Sequence, residues 1–206
     1  GTGSIVLDEL NAITLSDLDT TDGSITVDAA GDVVSTDVDA SDAIAITASS
    51  GDITLGGLTA GGVLGITAST GSINDASDDA TTDLTAGGLI TLTAQDEVGG
   101  IPSATTTDTA GSIELAAGST LNASSTTAGN LVLAGLGALT LEDLDTVDGS
   151  IAVTAAGALT ATAVDAAGST SDGVSLSTTT GGVIATSITA ADTVSITADA
   201  GDVTLG

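Results

Sequence analysis

Residues 43–68 read AIAITASSGDITLGGLTAGGVLGITA, and this stretch decides the fold of the chain. Apolar residues alternate with small or polar ones over three short segments that begin at Ile44, Ile53 and Leu58. The first pattern then restarts at Leu64, 20 residues after Ile44. Period-two alternation punctuated by Gly and Asp is typical of short, half-buried strands joined by tight turns. The stretch therefore predicts one coil of a parallel β-solenoid.

The composition fits a narrow tube better than a round domain. The 206 residues include 28 Asp plus Glu, but no Lys, Arg, His, Cys, Met, Phe, Tyr or Trp. The hydrophobic content of 41% therefore has to come from Ile, Val, Leu and Ala. A round domain of this length normally fills its wide centre with aromatic side chains, which a narrow tube does not need.

The charge and the missing residue types exclude several classes of function. A net charge of −28 argues against binding to nucleic acid or insertion into an anionic membrane surface, because both interactions need Lys and Arg. Most general bases, nucleophiles and cationic transition-state stabilisers are absent, so we expect no enzymatic activity. The uncharged residues 115–141 alternate with period two, which favours buried strands over a membrane span.

The repeat runs through the whole chain, which predicts a single domain over residues 1–206. The first face of the tube is predicted to begin, coil by coil, at Ile5, Ile25, Ile44, Leu64, Ile90, Ile113, Leu131, Ile151, Val174 and Val194. The second face begins at Ile13, Val33, Ile53, Leu139, Leu159 and Val183. The third face follows five residues later, at Leu18, Val38, Leu58, Leu144, Val164 and Ile188. The predicted fold class is all-β: a parallel β-helix (β-solenoid) of about ten coils, with about 20 residues and three short strands in each coil.

A longer repeat and two insertions are superimposed on the coils. Residues 11–31 and 137–157 are identical at 15 of 21 positions, which indicates duplication of a multi-coil block and suggests a longer parent array. Polar insertions near residues 74–83 and 99–111 are expected to loop outward, and the second contains the only proline, Pro102.

The alternation also predicts which side chains face the core and where the corners lie. Ile46 and Ile66 are expected to point inward on adjacent coils, whereas Thr47 faces water. The corners are expected to need the positive φ angles that glycine permits, at Gly31, Gly51, Gly71, Gly157 and Gly201.

The phrases LTAGGVLGITASTGSI at residues 58–73 and LTAGGLITLTA at residues 84–94 resemble the repeats of filamentous haemagglutinin-type adhesins. The resemblance extends over most of the chain and is weak over residues 96–130. It implies a right-handed parallel β-helix belonging to a very large secreted bacterial protein. An extracellular or cell-surface location is the expectation that follows from it.

Clustered aspartates next to a glycine turn are candidate ligands for Ca²⁺, a hard cation that prefers oxygen. The pattern D-x-D-x-x-D-G occurs twice, before Gly23 and before Gly149, and its aspartates are Asp17, Asp19, Asp22, Asp143, Asp145 and Asp148. The alternative interpretation is that these are solvated aspartates at corners. The same two interpretations apply to a second acidic group, which contains Asp75, Asp78, Asp79 and Asp83. Ca²⁺ is the only cofactor that the sequence suggests.

These features favour a structural protein that forms an extracellular filament or cell-surface fibre by end-to-end stacking of solenoid units. The expected partner is a second copy or the adjoining repeats of one long polypeptide, because no helix, proline cluster or polar repeat caps the coils at either end. One alternative is the stalk of a secreted adhesin that displays ligand-binding loops. Another is an ice-binding face, suggested by the phrase at Thr91–Thr93.

Overall fold

The computed structural model describes residues 3–76, 80–100 and 111–206, and within these ranges all regular secondary structure is β. The strands, numbered in chain order, are β1 (Ile5–Glu9), β2 (Ile13–Leu15), β3 (Leu18–Thr20), β4 (Ile25–Ala29), β5 (Val33–Ser35), β6 (Asp37–Ala40), β7 (Ile44–Ala48), β8 (Ile53–Leu55), β9 (Gly57–Ala60), β10 (Leu64–Ala68), β11 (Ile73–Asp75), β12 (Leu84–Ala86), β13 (Leu89–Ala94), β14 (Ile113–Leu115), β15 (Ser119–Ser125), β16 (Leu131–Gly135), β17 (Leu139–Thr146), β18 (Ile151–Ala155), β19 (Leu159–Ala166), β20 (Val174–Thr178), β21 (Val183–Ala190), β22 (Val194–Ala198) and β23 (Val203–Leu205).

The strands stack into three parallel sheets that form the walls of a β-solenoid of about 9 turns, with roughly 20 residues in each turn. The ten-stranded sheet has the order β1-β4-β7-β10-β13-β15-β17-β19-β21-β23. The nine-stranded sheet has the order β22-β20-β18-β16-β14-β12-β9-β6-β3, and the four-stranded sheet has the order β11-β8-β5-β2. The predicted fold class is confirmed, with about one turn fewer than the ten estimated from the sequence.

The core is a set of inward rows in which each apolar side chain lies above its counterpart in the preceding turn. Ile46 and Ile66 are in register on β7 and β10, both are buried, and Thr47 lies between inward positions on the outer side of the wall. The prediction for these residues is confirmed. The complete row contains Leu7, Val27, Ile46, Ile66, Leu92, Ala123, Leu144, Val164 and Ile188.

The predicted assignment of faces is wrong beyond Ile90. After this residue, the chain contributes strands to the three sheets in a different order, which we call the changed wall order. Strand β13 pairs with β15 and not with β14. As a result, the strands at Ile113, Leu131, Ile151, Val174 and Val194 belong to the nine-stranded sheet, alongside β12. The duplicated blocks therefore lie in different sheets: β4 is in the ten-stranded sheet, whereas its sequence counterpart β18 is in the nine-stranded sheet.

The later turns also differ from the predicted three short strands. Strand β17 contains both Leu139 and Leu144, which were assigned to separate faces. Its register with β15 shifts at Glu142, so the chain passes the expected corner with a bulge and continues in the same sheet. Strands β19 and β21 are equally long, and each contains a predicted second-face and third-face segment.

Residues at the described ends of both predicted insertions belong to the wall of the solenoid and not to outward loops. Asn74 and Asp75 lie within β11, and Asp83 is buried immediately before β12. At the second insertion, Gly99 N donates to Ile73 O at 2.8 Å, which joins this residue to the wall. Residues 77–79 and 101–110, including Pro102, lie outside the described ranges.

The corners are held by hydrogen bonds from one turn to the next. Asp32 Oδ1 accepts from Asp52 N at 3.0 Å, and Asp52 Oδ1 accepts from Ser72 N at 2.9 Å. Of the five corner glycines, Gly51 and Gly201 have positive φ angles. Gly31 is required for a different reason, because an added Cβ would lie 2.8 Å from the backbone nitrogen of Ala12.

Two neighbouring positions on β7, one inward and one outward, should respond differently to substitution by aspartate. Ile46→Asp buries a carboxylate that has no cation in the chain to pair with, so we expect a loss of several kcal/mol in unfolding free energy. Thr47→Asp adds the same group on the outer face and should change the free energy of unfolding far less. Thermal unfolding followed by circular dichroism measures both variants, and equal shifts would contradict the assignment of faces.

Glycine positions provide a second matched pair. In Gly51→Ala, the new Cβ meets the backbone nitrogen of Asp32 at 2.8 Å while φ is 150°, so we expect a loss of about 1–3 kcal/mol. In Gly65→Ala, on β10, no heavy atom lies within 4 Å of the new Cβ, and stability should be unchanged or slightly higher. Denaturant unfolding of the two variants distinguishes them, and a larger loss for Gly65→Ala would contradict the corner geometry.

Candidate functional site

An outward row of polar side chains follows the ten-stranded sheet along the rod. Its members, in register, are Asp8, Asp28, Thr47, Thr67, Thr93, Ser124, Asp145, Asp165 and Thr189. Aspartates thus flank a central run of hydroxyl side chains. Because parallel strands lie about 4.8 Å apart, carboxylates on consecutive turns are close enough to repel one another.

The six aspartates predicted to bind Ca²⁺ all have exposed side chains, but the two groups occupy different walls. Asp19 is on β3 in the nine-stranded sheet, whereas Asp143 and Asp145 are on β17 in the ten-stranded sheet. The other three aspartates of the two groups, which lie outside the strands, are Asp17, Asp22 and Asp148. Identical local sequence therefore does not produce identical surroundings.

In the first group, Asp19 lies beside other carboxyl groups. It is in register with Asp39 on β6. Partial removal from water raises the pKa of Asp19, and the charges of Asp17, Asp39 and Asp37 raise it further. A cation or added salt would relieve this repulsion.

In the second group, two aspartates border a depression in the outer face. Asp143 and Asp145, together with Thr91, Thr93, Asn122 and Ser124, line a hollow of about 120 Å³. Loss of solvent raises the pKa of Asp145, and the nearby charges of Asp165 and Asp143 add to this.

The oxygen atoms around this hollow suit a hard cation. Asn122 Oδ1 is buried and accepts no hydrogen bond from the described part of the chain. Asp148 is not part of the hollow, because its Oδ1 accepts from Ser169 N at 3.2 Å at a corner. The structure therefore brings together Asp143 and Asp145 but not the third predicted ligand.

The tightest group of carboxyl groups in the described ranges combines Asp75 and Asp83, from the second acidic group, with Glu114, which the sequence pattern did not indicate. Oxygen atoms of Asp75, Asp83 and Glu114 lie within 4.8 Å of one another, and Asp83 and Glu114 are buried. Glu114 lies on β14, 31 residues after Asp83 in the sequence, so no local motif connects them. The available signal was the charged residue in the apolar segment Ile113–Leu115.

Comparison with known proteins finds no matching family model, no matching curated protein and no matching solved structure. In the residues that the structure describes, no helix is long and apolar enough to cross a membrane.

The Ca²⁺ sites remain a prediction, and melting in two salts tests them. At matched ionic strength, CaCl₂ should raise the melting temperature more than NaCl does, because a divalent ion can bridge Asp143 and Asp145. Asp143→Asn should reduce that difference. Asp8→Asn, which removes one outward carboxylate at the far end of the rod, should leave it unchanged. Equal melting temperatures in the two salts would indicate screening alone.

Proposed function

We propose that the chain is a structural protein, a rod-like unit of an extracellular filament or cell-surface fibre built by end-to-end stacking. The observation that supports this is the ten-stranded sheet, which extends from β1 to β23 through every turn between them. Each of these two outer strands has one edge with no partner strand in the described part of the chain. Open edges of parallel strands can pair with a strand from another chain.

The two ends of the rod also display apolar side chains. At one end, Ile5 and Leu7 are only partly buried, although their partners in the next turn, Ile25 and Val27, are fully buried. At the other, Leu205 is 66% exposed although it continues an inward row from the buried Ala185. A groove of about 360 Å³ lies beside Leu205 and is lined in part by Ile188 and Ile196. Stacking a second copy on this end would remove apolar surface from water.

The sides of the rod favour axial over lateral contact. Outward aspartates follow the walls, and the chain has no Lys, Arg or His to neutralise them. Two rods lying side by side would repel, whereas the ends carry the unpaired edges. An extracellular location is supported by the missing Lys and Arg, which are the cleavage sites of trypsin-like proteases, and by the missing Cys and Met, which oxidants attack.

The stalk of a secreted adhesin is the second candidate, and the positions of the two loops favour it. Gly99 N donates to Ile73 O, and Asp83 N donates to Glu114 O at 3.0 Å, so both insertions leave the rod from neighbouring turns. Loops gathered in this way can form one binding surface. Covalent continuation into a longer array would satisfy the same strand edges as stacking. The ice-binding face has less support, because Thr91 pairs with Gly65 and Asn122, and the threonine pair does not repeat.

A concentration series tests stacking directly. Sedimentation and negative-stain imaging should show thin filaments that lengthen with concentration. Leu205→Asp places a charge at the open end and should reduce association strongly, whereas Ile184→Asp, at a 53% exposed position on the side, should not. Discrete monomers at the highest concentration would contradict stacking and favour a segment of one long polypeptide.

A further inference from the structure

The strand pairing in the nine-stranded sheet is shortest at the junction between the early turns, which have three strands, and the later turns, which have two. In the described residues, β12 and β14 pair through Leu84 and Leu115 alone, whereas β16 and β18 pair over five positions. Asp83 and Glu114 lie at this junction, with exposures of 3% and 1%. Their bonds supplement the short ladder: Asp83 N donates to Glu114 O at 3.0 Å, and Glu114 N donates to Asp83 Oδ2 at 2.8 Å.

The charges of this pair have no counter-charge in the protein. The chain contains no Lys, Arg or His, and the third nearby group, Asp75, is also a carboxyl. Two or three ionised carboxylates this close together and out of water are strongly unfavourable. Neutralisation must therefore come from the solvent, as a proton or as a metal ion.

The hydrogen bonds favour a proton. Asp83 Oδ2 already accepts from Glu114 N, and Glu114 Oε1 accepts from Ser112 Oγ at 2.5 Å, so one oxygen of each carboxyl group is already engaged by the protein. Oxygen atoms of the Asp83 and Glu114 side chains also lie within 4.8 Å of each other. Two buried carboxyl groups this close are stable together only when at least one of them carries a proton.

We propose that Asp83 and Glu114 share a proton that fastens β12 to β14, so that this junction is a pH-sensitive latch, closed in acid and loosened above neutral pH. The proton is the ligand, and no other group in the chain can replace it. The latch concerns regulation of the rod, and it holds whether or not the units stack.

The titration follows from the groups around the pair. Burial raises the pKa of Asp83 to about 8; the backbone N–H of Glu114 opposes this rise, while the charge of Asp75, on β11, and the side chain of Glu114, on β14, add to it. The neighbouring strands β9 and β12 contain no titratable residue. Asp78 and Asp79 lie outside the described ranges.

The direction of the pH dependence is set by the raised pKa. Below the usual pKa of 3.8, Asp83 is protonated in both the folded and the unfolded chain, and the latch contributes fully. Between that value and about 8, the folded chain holds one more proton than the unfolded chain. The unfolding equilibrium constant should therefore rise about tenfold per pH unit across this interval.

Two measurements on the full chain test the latch. Carbon-13 NMR of the carboxyl groups should show the Asp83 resonance titrating near pH 8. Denaturant unfolding between pH 5.5 and 8 should show the wild type losing stability with rising pH. Asp83→Asn keeps a hydrogen-bonding side chain without the charge, and it should remove most of this slope. Asp8→Asn removes one exposed carboxylate elsewhere and should keep it.

Two results would overturn the latch. The first is an Asp83 resonance that titrates near pH 4 in the wild-type protein, a measurement that does not depend on the folding of any variant. The second is a wild-type slope that Asp83→Asn leaves unchanged, which would show that other carboxyl groups carry the pH dependence.

Discussion

Every feature of this rod depends on parallel pairing of each turn with the next, in register, at a spacing of about 4.8 Å. Ile44 lies against Leu64, and Leu64 lies against Ile90, so each inward side chain packs on the one below it. A slip of one residue would turn every inward position outward. Because no aromatic residue is present, the core relies on this repeated contact between branched aliphatic side chains.

The second constraint is that the chain contains acids and no bases. An ordinary protein stabilises a row of aspartates by interleaving Lys or Arg, but here Asp145 lies next to Asp165 with nothing between them. Loss of solvent raises the pKa values of Asp19 and Asp145, and neighbouring carboxylates that no base offsets raise them further. We expect such a rod to repel other rods along its sides, and we expect its stability to depend on salt more strongly than that of a protein of mixed charge.

Local alternation was sufficient to predict the fold class, the inward residues and the turn length, because each depends on neighbours within one coil. The face assignment failed because it depends on which strands pair on either side of residues 95–118, and the strand that follows, β15, has only Leu121 and Ala123 as apolar residues. The two copies of the duplicated block also show that local sequence does not determine where a strand ends. In the first copy, Ser16 and Asp17 separate β2 from β3, whereas in the second the equivalent Glu142 and Asp143 lie within one strand.

Among the candidate sites, the sequence found exposed aspartates more readily than the buried pair. A motif search detects acids that are close in sequence, and those acids are usually at solvated corners. Asp83 and Glu114 meet only because β12 and β14 are neighbours in the nine-stranded sheet, a consequence of the changed wall order that the alternation did not reveal.

The change in wall order explains why a buried acid pair occurs at this particular place. The ten-stranded wall crosses the junction with six residue pairs between β13 and β15, while the opposite wall crosses it with one pair between β12 and β14. The backbone amides and carbonyls next to the shorter ladder still need partners, because unsatisfied buried polar groups are costly. Glu114 N donates to the carboxyl group of Asp83. An apolar residue at position 83 would leave that amide without this acceptor, so the irregular wall itself requires a polar side chain there. Where the chain has no basic residue, a buried acid at such a position is neutral only when it is protonated.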